Sequence, residues 1–196
     1  MNRAPRPDGV RNTVRIIGGR WRGRRIRFPD SEGLRPTPDR LRETLFNWLM
    51  HDVRDARVLD LFAGSGALGF EALSRGAREA VLVDNSPAVC AQLARELAAL
   101  EGAAGRVVRA DARDFLRQPP ATPFDLVFLD PPYAQAAALL PAIASALEAD
   151  GFLAGEARVY VESPQPPAGL PAHWHLHRQQ QAGQACCSLY VRVPSA

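Results

Sequence analysis

Asp60-Leu61-Phe62-Ala63-Gly64-Ser65-Gly66-Ala67-Leu68-Gly69 joins the apolar run Val58–Phe62 to a segment of helical spacing, Ala67–Arg75. An apolar strand, a glycine turn and a helix in that order open a βαβ unit. Gly64, Gly66 and Gly69 stand at the spacing of the dinucleotide fingerprint, where missing Cβ atoms let the backbone turn sharply and a ligand approach. Downstream the alternation continues. Ala80–Asp84 reads as a strand, and Ser86 caps a helix that starts at Pro87 and buries Val89, Leu93, Leu97 and Leu100. Arg106–Ala110, Asp125–Asp130 and Arg158–Glu162 are further strands, with a helix over Ala136–Leu147. Short apolar strands separated by helices predict a buried, parallel, doubly wound α/β sheet of about seven strands. Trp174–Gln180 and Ala185–Val193 have no helix between them, only the turn around Gly183, so an antiparallel hairpin closes one edge.

The segment before this body is different. Val14, Ile16, Ile26 and Phe28 alternate with Arg15, Arg25 and Arg27, and Gly18, Gly19 and Gly23 turn the chain between them. That is a small β-hairpin with an arginine-rich face. Residues 1–42 hold twelve arginines against four acids, a balance of +8, whereas the whole chain is only +3. A basic block beside a mildly acidic body suggests an arm for a polyanion. Trp21, among Arg20, Arg22 and Arg24, can stack on a base or fold back on the hairpin. Thr37 offers an N-cap, with Pro38 at the first helical position, for an amphipathic helix running to about Met50 and facing the body with Leu41, Leu45, Trp48 and Leu49. The expected division is a basic arm over residues 1–35 and a catalytic domain over 36–196.

Four places carry chemistry. Asp84, twenty residues beyond Gly64, ends the second strand, where a carboxylate accepts both hydroxyls of a ribose. Asp60, at the head of the glycine loop, is unsuited to a pyrophosphate but suits a cationic amino-acid end. S-adenosylmethionine, with an ammonium, a sulfonium, a ribose and no phosphate, therefore fits better than NAD. Asp111 follows the third strand and can accept the exocyclic amine of an adenine or cap the next helical turn. The fourth place is Asp130-Pro131-Pro132-Tyr133, ending the fourth strand. There the Asp130 side chain and the Pro131 carbonyl can accept from one exocyclic amine, the prolines stiffen the loop, and Tyr133 can stack on the base.

Asp130–Tyr133 together with the loop from Asp60 to Gly66 looks like the class I methyltransferases that modify exocyclic amines of nucleobases. More specifically, Arg15-Ile16-Ile17-Gly18-Gly19-Arg20-Trp21-Arg22-Gly23 and the stretch from Leu34 to Asn47 resemble the bacterial RsmD family. The likeness runs from about Arg15 to Val193 and includes Tyr160-Val161-Glu162 and Ala182-Gly183-Gln184. It implies a Rossmann-like methyltransferase that acts on N2 of guanine 966 of 16S ribosomal RNA within an assembling small subunit, as a cytoplasmic monomer. Carried onto this chain, it implies a cofactor site of Asp60, Phe62, Gly64, Gly66, Asp84, Asn85, Asp111 and Ala112, catalysis by Asp130, Pro131, Pro132 and Tyr133, and RNA contact by Arg15, Arg20, Trp21, Arg22, Arg24, Arg25, Arg35 and Arg40. Asp84 stands where the family often has Glu, and either holds a ribose.

Composition narrows the rest. With 46% hydrophobic and 23% charged residues, the chain is an ordinary globular one, without an apolar run that could span a membrane. The polar start, Met1 to Arg11, lacks the apolar core of a secretory signal. Three cysteines without a spacing pattern fit a reducing compartment. His173, His175 and His177 alternate, but adjacent Arg178 is cationic and no metal is expected. A DNA adenine-N6 methyltransferase, a nicotinamide-dependent dehydrogenase and a non-catalytic RNA-binding assembly factor remain as alternatives.

Overall fold

The computed structural model describes residues 12–30, 37–149 and 151–193. Fourteen elements follow in order: β1 (Asn12–Arg15), β2 (Arg25–Phe28), α1 (Asp39–Trp48), β3 (Arg57–Asp60), α2 (Ala67–Ser74), β4 (Glu79–Asp84), α3 (Pro87–Ala99), β5 (Gly105–Arg109), α4 (Ala112–Phe115), β6 (Phe124–Leu129), α5 (Tyr133–Ala149), β7 (Leu153–Ser163), β8 (Trp174–Ala182) and β9 (Ala185–Arg192). The main sheet has seven strands in the order β5-β4-β3-β6-β7-β9-β8. β3 to β7 run parallel, and β9 pairs antiparallel with both β7 and β8. The expected doubly wound sheet with an antiparallel edge is thus present. Its order reverses between β3 and β6, and ligands of such sheets bind at the carboxyl ends beside that reversal.

β1 and β2 form the separate two-stranded hairpin, with Val14 opposite Ile26 and Arg15 opposite Arg25. Val14, Ile16, Ile26 and Phe28 are all buried and join one apolar cluster with Leu41, Phe46, Phe70 and Leu93. The hairpin is therefore packed on the sheet's helices. Polar contacts hold it there. Glu71, fully buried on α2, accepts from the amides of Ile17 and Gly18, each at 2.8 Å, and from Arg75 Nε at 2.7 Å. Buried Arg42 reaches the same carboxylate at 3.4 Å and also bonds Asp39 Oδ1, the Arg15 carbonyl and the Thr37 carbonyl. The Arg20 amide donates to the Ser74 carbonyl at 2.7 Å, which is possible because Gly19 lies at φ 75° with its missing Cβ aimed at that oxygen.

Several boundaries differ from expectation. Thr37 does not cap α1. Pro38 is the N-cap residue, with extended ψ of 146° and no side-chain bond, because its own carbonyl accepts from Leu41 and Arg42. α5 begins at Tyr133, three residues early, since the Pro132 carbonyl accepts from the Gln135 amide and proline suits a helix entry. β7 extends back to Leu153, which pairs with Phe124, and the extra residues between Leu153 and Arg158 bulge out of β7 opposite Phe124–Leu126, absorbing the break in alternation around Gly155. β8 shifts register between Leu176 and Arg178, so the three histidines do not form one even row, and His173 lies 2.7 Å from the Glu148 carboxylate. Among the described residues no cluster of His, Cys, Asp and Glu has the makings of a metal site, and no helix is long and apolar enough to cross a membrane.

Candidate active site

A cleft of about 850 Å³ opens across the carboxyl ends of β3, β4, β5 and β6, within the range of sites for cofactor-sized ligands. Asp60, Phe62, Gly64, Asp84, Asn85, Asp111 and Ala112 line it, as do Asp130, Pro131, Pro132 and Tyr133. Four separate strand ends thus deliver their acids to one space. Gly66 does not line the cleft. It is buried at the N-cap of α2 with φ 75°, and a Cβ there would meet Phe70 and Leu93, so its contribution is the shape of the loop.

Asp60 is almost wholly buried and its Oδ2 accepts from the Gly69 amide at 3.0 Å. Burial raises its carboxyl to about 7; the Gly69 bond opposes this and the Asp84 charge adds to it. A carboxyl held in that state gains from a cation, and the ammonium end of S-adenosylmethionine supplies one. Binding a cation favours the ionised form, so affinity should rise as pH increases from 5.5 to 7.5. Asp60→Asn should flatten this rise, as read by titration calorimetry, and an unchanged slope in the variant would remove Asp60 from the ammonium site.

Asp84 has a second task that its sequence position does not reveal. Oδ2 accepts from the Gly64 amide at 3.0 Å and Oδ1 from the Ser86 amide at 2.8 Å. Each oxygen keeps a second lone pair. The residue thus holds the glycine loop, at Gly64, while presenting acceptors to the cleft. Asp84→Ala loses both, and S-adenosylmethionine binding should weaken by about 1–3 kcal/mol. Unchanged affinity in calorimetry would refute the ribose role. Asp111 caps α4 by accepting from the Arg113 amide at 2.9 Å, and also bonds Arg113 Nε, which holds its carboxyl below the usual range. Capping and lining the cleft coexist there.

The tetrad stands at the reversal of the sheet. Phe128, just before it, packs edge-on against Phe46 of α1 and Tyr160 of β7, with ring centroids 6.0 and 6.2 Å apart. These contacts fix the end of β6. Asp130 is pushed well above the ordinary carboxyl range by burial, then by the charges of Glu162 and Asp60. Among the described residues no backbone amide outside the helices and strands donates to the Pro131 carbonyl, whereas the Pro132 carbonyl is taken by Gln135. Tyr133 is partly exposed, and its hydroxyl donates to Glu162 Oε1 at 2.7 Å. Burial and the Glu162 contact raise its phenol.

Residues 14–191 match the family described as Conserved hypothetical protein 95. The ribosomal RNA small subunit methyltransferase D of Escherichia coli K12 is 52% identical over 182 residues, covering 91% of this chain and 90% of that protein. The protein of the same name from Haemophilus influenzae is 42% identical, covering 92% and 95%. The chain belongs to this family, the RsmD methyltransferases. The solved structure of yhhF from Escherichia coli superposes with a TM-score of 0.84 at 49% identity, covering 94% of this chain and all of that one. The family match takes in the hairpin as well as the cleft.

The arginine-rich face is less uniform than its sequence. Trp21 folds back against the apolar cluster, with the Arg20 guanidinium 5.4 Å from its ring centroid. Arg24 donates to the Ala99 carbonyl at 2.6 Å, and Arg15 pairs with Asp39 at 3.2 Å. Arg20, Arg22, Arg25 and Arg40 are exposed and form no ion pair among the described residues. Arg35 lies outside the described residues. Thr37, Pro38 and Leu41 line the cleft, so the start of α1 borders it. Glu162, which the sequence offers only within the Tyr160–Glu162 stretch of the family likeness and without a role, lines the cleft beside the tetrad. The register of β7 against β6 sets it next to Asp130.

Proposed function

We propose that this RsmD-family chain methylates the N2 amine of a guanine in 16S ribosomal RNA, guanine 966 in the standard numbering, within an assembling small subunit. The carrying observation is that Asp130 and Pro131 share one cleft with Asp60, Asp84 and the glycine loop. The names of the Escherichia coli and Haemophilus influenzae relatives support the ribosomal substrate. S-adenosylmethionine, when bound, supplies an electrophilic methyl whose bonding pair returns to sulfur.

The chain's residues do the rest by position and charge. Asp60 holds the ammonium, Asp84 the ribose, and Asp111 faces the adenine. Asp130 and the Pro131 carbonyl accept the two hydrogens of the guanine amine. That nitrogen is a poor nucleophile, because its lone pair is delocalised into the ring. Two acceptors favour a pyramidal amine with its lone pair aimed at the methyl, Tyr133 holds the base by its face, and the methylated nitrogen then gives up one proton to Asp130 or to water. Arg20, Arg22, Arg25 and Arg40 offer charge to phosphates flanking the target, with residues 1–35 as the RNA-contacting arm. The enzyme acts as a cytoplasmic monomer on this reading. Tritiated methyl transfer to 16S RNA in a partly assembled subunit, measured beside duplex DNA, tests it. Label in the RNA is expected; label in the DNA alone would replace it with an adenine-N6 reaction.

A further inference from the structure

Glu162 is a buried acid set beside another acid in the same cleft. In the parallel register Leu129 of β6 pairs with Val161 of β7, so Asp130 and Glu162 follow as neighbours on adjacent strand ends. In-register residues of a sheet point to the same face, across a strand spacing of about 4.8 Å. Glu162 is 5% exposed. Its Oε1 accepts from Tyr133 at 2.7 Å and its Oε2 from Tyr160 at 3.2 Å. Two phenols orient the group, and each oxygen keeps a lone pair.

Two carboxylates on one face repel, and burial makes this worse. Nothing basic is bonded to either among the described residues. Structural need does not explain the pair, since the two phenols call for one carboxylate and not for a second acid beside it. A ligand that offers adjacent donors would relieve it. The bases differ on this point. Guanine presents its N2 amine next to N1–H, so two neighbouring positions both donate. Adenine and cytosine present their amine next to a ring nitrogen with a lone pair, which a carboxylate repels.

We infer that Glu162 is the residue that selects guanine, by accepting from N1–H while Asp130 and Pro131 hold the N2 amine. The inference rests on the guanine-N2 reading above and adds the means by which the base is chosen. Tyr133 serves twice, stacking on the base and orienting Glu162 through its hydroxyl. Tyr160 braces the other oxygen from beneath, in the apolar cluster behind β7.

The test replaces the target guanine by 2-aminopurine in the ribosomal RNA. That base keeps the 2-amine, lacks the oxygen at position 6 and has a lone pair at N1 in place of N1–H. The wild-type chain should methylate guanine with kcat/KM about tenfold or more above 2-aminopurine, since a buried carboxylate faces a lone pair in the second case. Glu162→Gln can donate from its amide to that lone pair, so its preference should fall about tenfold or vanish. Loss of the position-6 oxygen acts equally on both proteins, so the ratio of the two preferences isolates the N1 contact. An unchanged preference in Glu162→Gln would overturn the inference while leaving guanine methylation intact. Methylation of neither base by the wild-type chain, with label in adenine instead, would overturn the guanine-N2 reading itself. Unchanged cofactor affinity in calorimetry shows that Glu162→Gln remains folded.

Discussion

Asp130→Ala should lower the single-turnover rate of methyl transfer about 100- to 1,000-fold, the scale seen when one preorganised polar contact to a reacting group is removed. The loss should fall on the rate and leave RNA and cofactor affinities nearly unchanged, because the contact matters most as the amine begins to bond the methyl. Stability should move the other way. Asp130 sits in a cleft where burial and the charges of Glu162 and Asp60 oppose its ionisation. Removing it relieves that repulsion, so the melting temperature should hold or rise. Asp130→Asn keeps an acceptor oxygen without the charge and should fall between. Tyr133→Phe keeps its π-face but removes one of the two donors to Glu162, so several-fold loss is expected, against about ten- to a hundredfold for Tyr133→Ala. Rapid-quench kinetics on the four proteins checks this series. A full rate in Asp130→Ala with weakened RNA binding would make the tetrad a docking surface.

Glu71→Ala should cost about 3–5 kcal/mol of folding stability, the penalty for breaking a buried ion pair from one side. Arg42 and Glu71 are 1% and 0% exposed at the side chain, so water cannot replace the lost partner. The amides of Ile17 and Gly18 lose their acceptor together with it. Glu71→Gln retains an oxygen for one of them and should cost less. Urea denaturation measures both. A loss below about 1 kcal/mol in Glu71→Ala would show that apolar packing alone holds the hairpin. The same geometry makes the basic hairpin unsuitable for simple deletion. Val14, Ile16, Ile26 and Phe28 are part of the main apolar cluster, so their removal would open the core as well as discard charge. Charge reversal at exposed Arg22 and Arg25 separates the two effects.

Local chemistry was readable wherever one strand end carried its own signal. Asp60, Asp84, Asp111 and the Asp130–Tyr133 tetrad each follow a short apolar strand, and parallel α/β connectivity brings strand ends to one edge. What sequence could not show depends on contacts between distant segments. Glu162 belongs to a stretch that resembles the family, but its place beside Asp130 depends on the register of β7 against β6. Glu71 resembles a solvent-facing acid on a short helix, yet the hairpin covers it completely. Trp21 carried two readings, stacking on a base or folding back, and packing decided for the second. Gly66 shares a motif with Gly64, but only the positive φ and the nearby Phe70 and Leu93 side chains separate loop geometry from ligand contact. Thr37 has the chemistry of an N-cap, and the extended Pro38 takes that place.

The most direct measurement is a nucleotide-resolution map of methylation in 16S ribosomal RNA from cells lacking this protein. Mass spectrometry should find a single guanine without its N2 methyl, restored by the wild-type chain and not by Asp130→Ala. An unaltered 16S modification pattern, or a loss confined to adenine in DNA, would contradict the account.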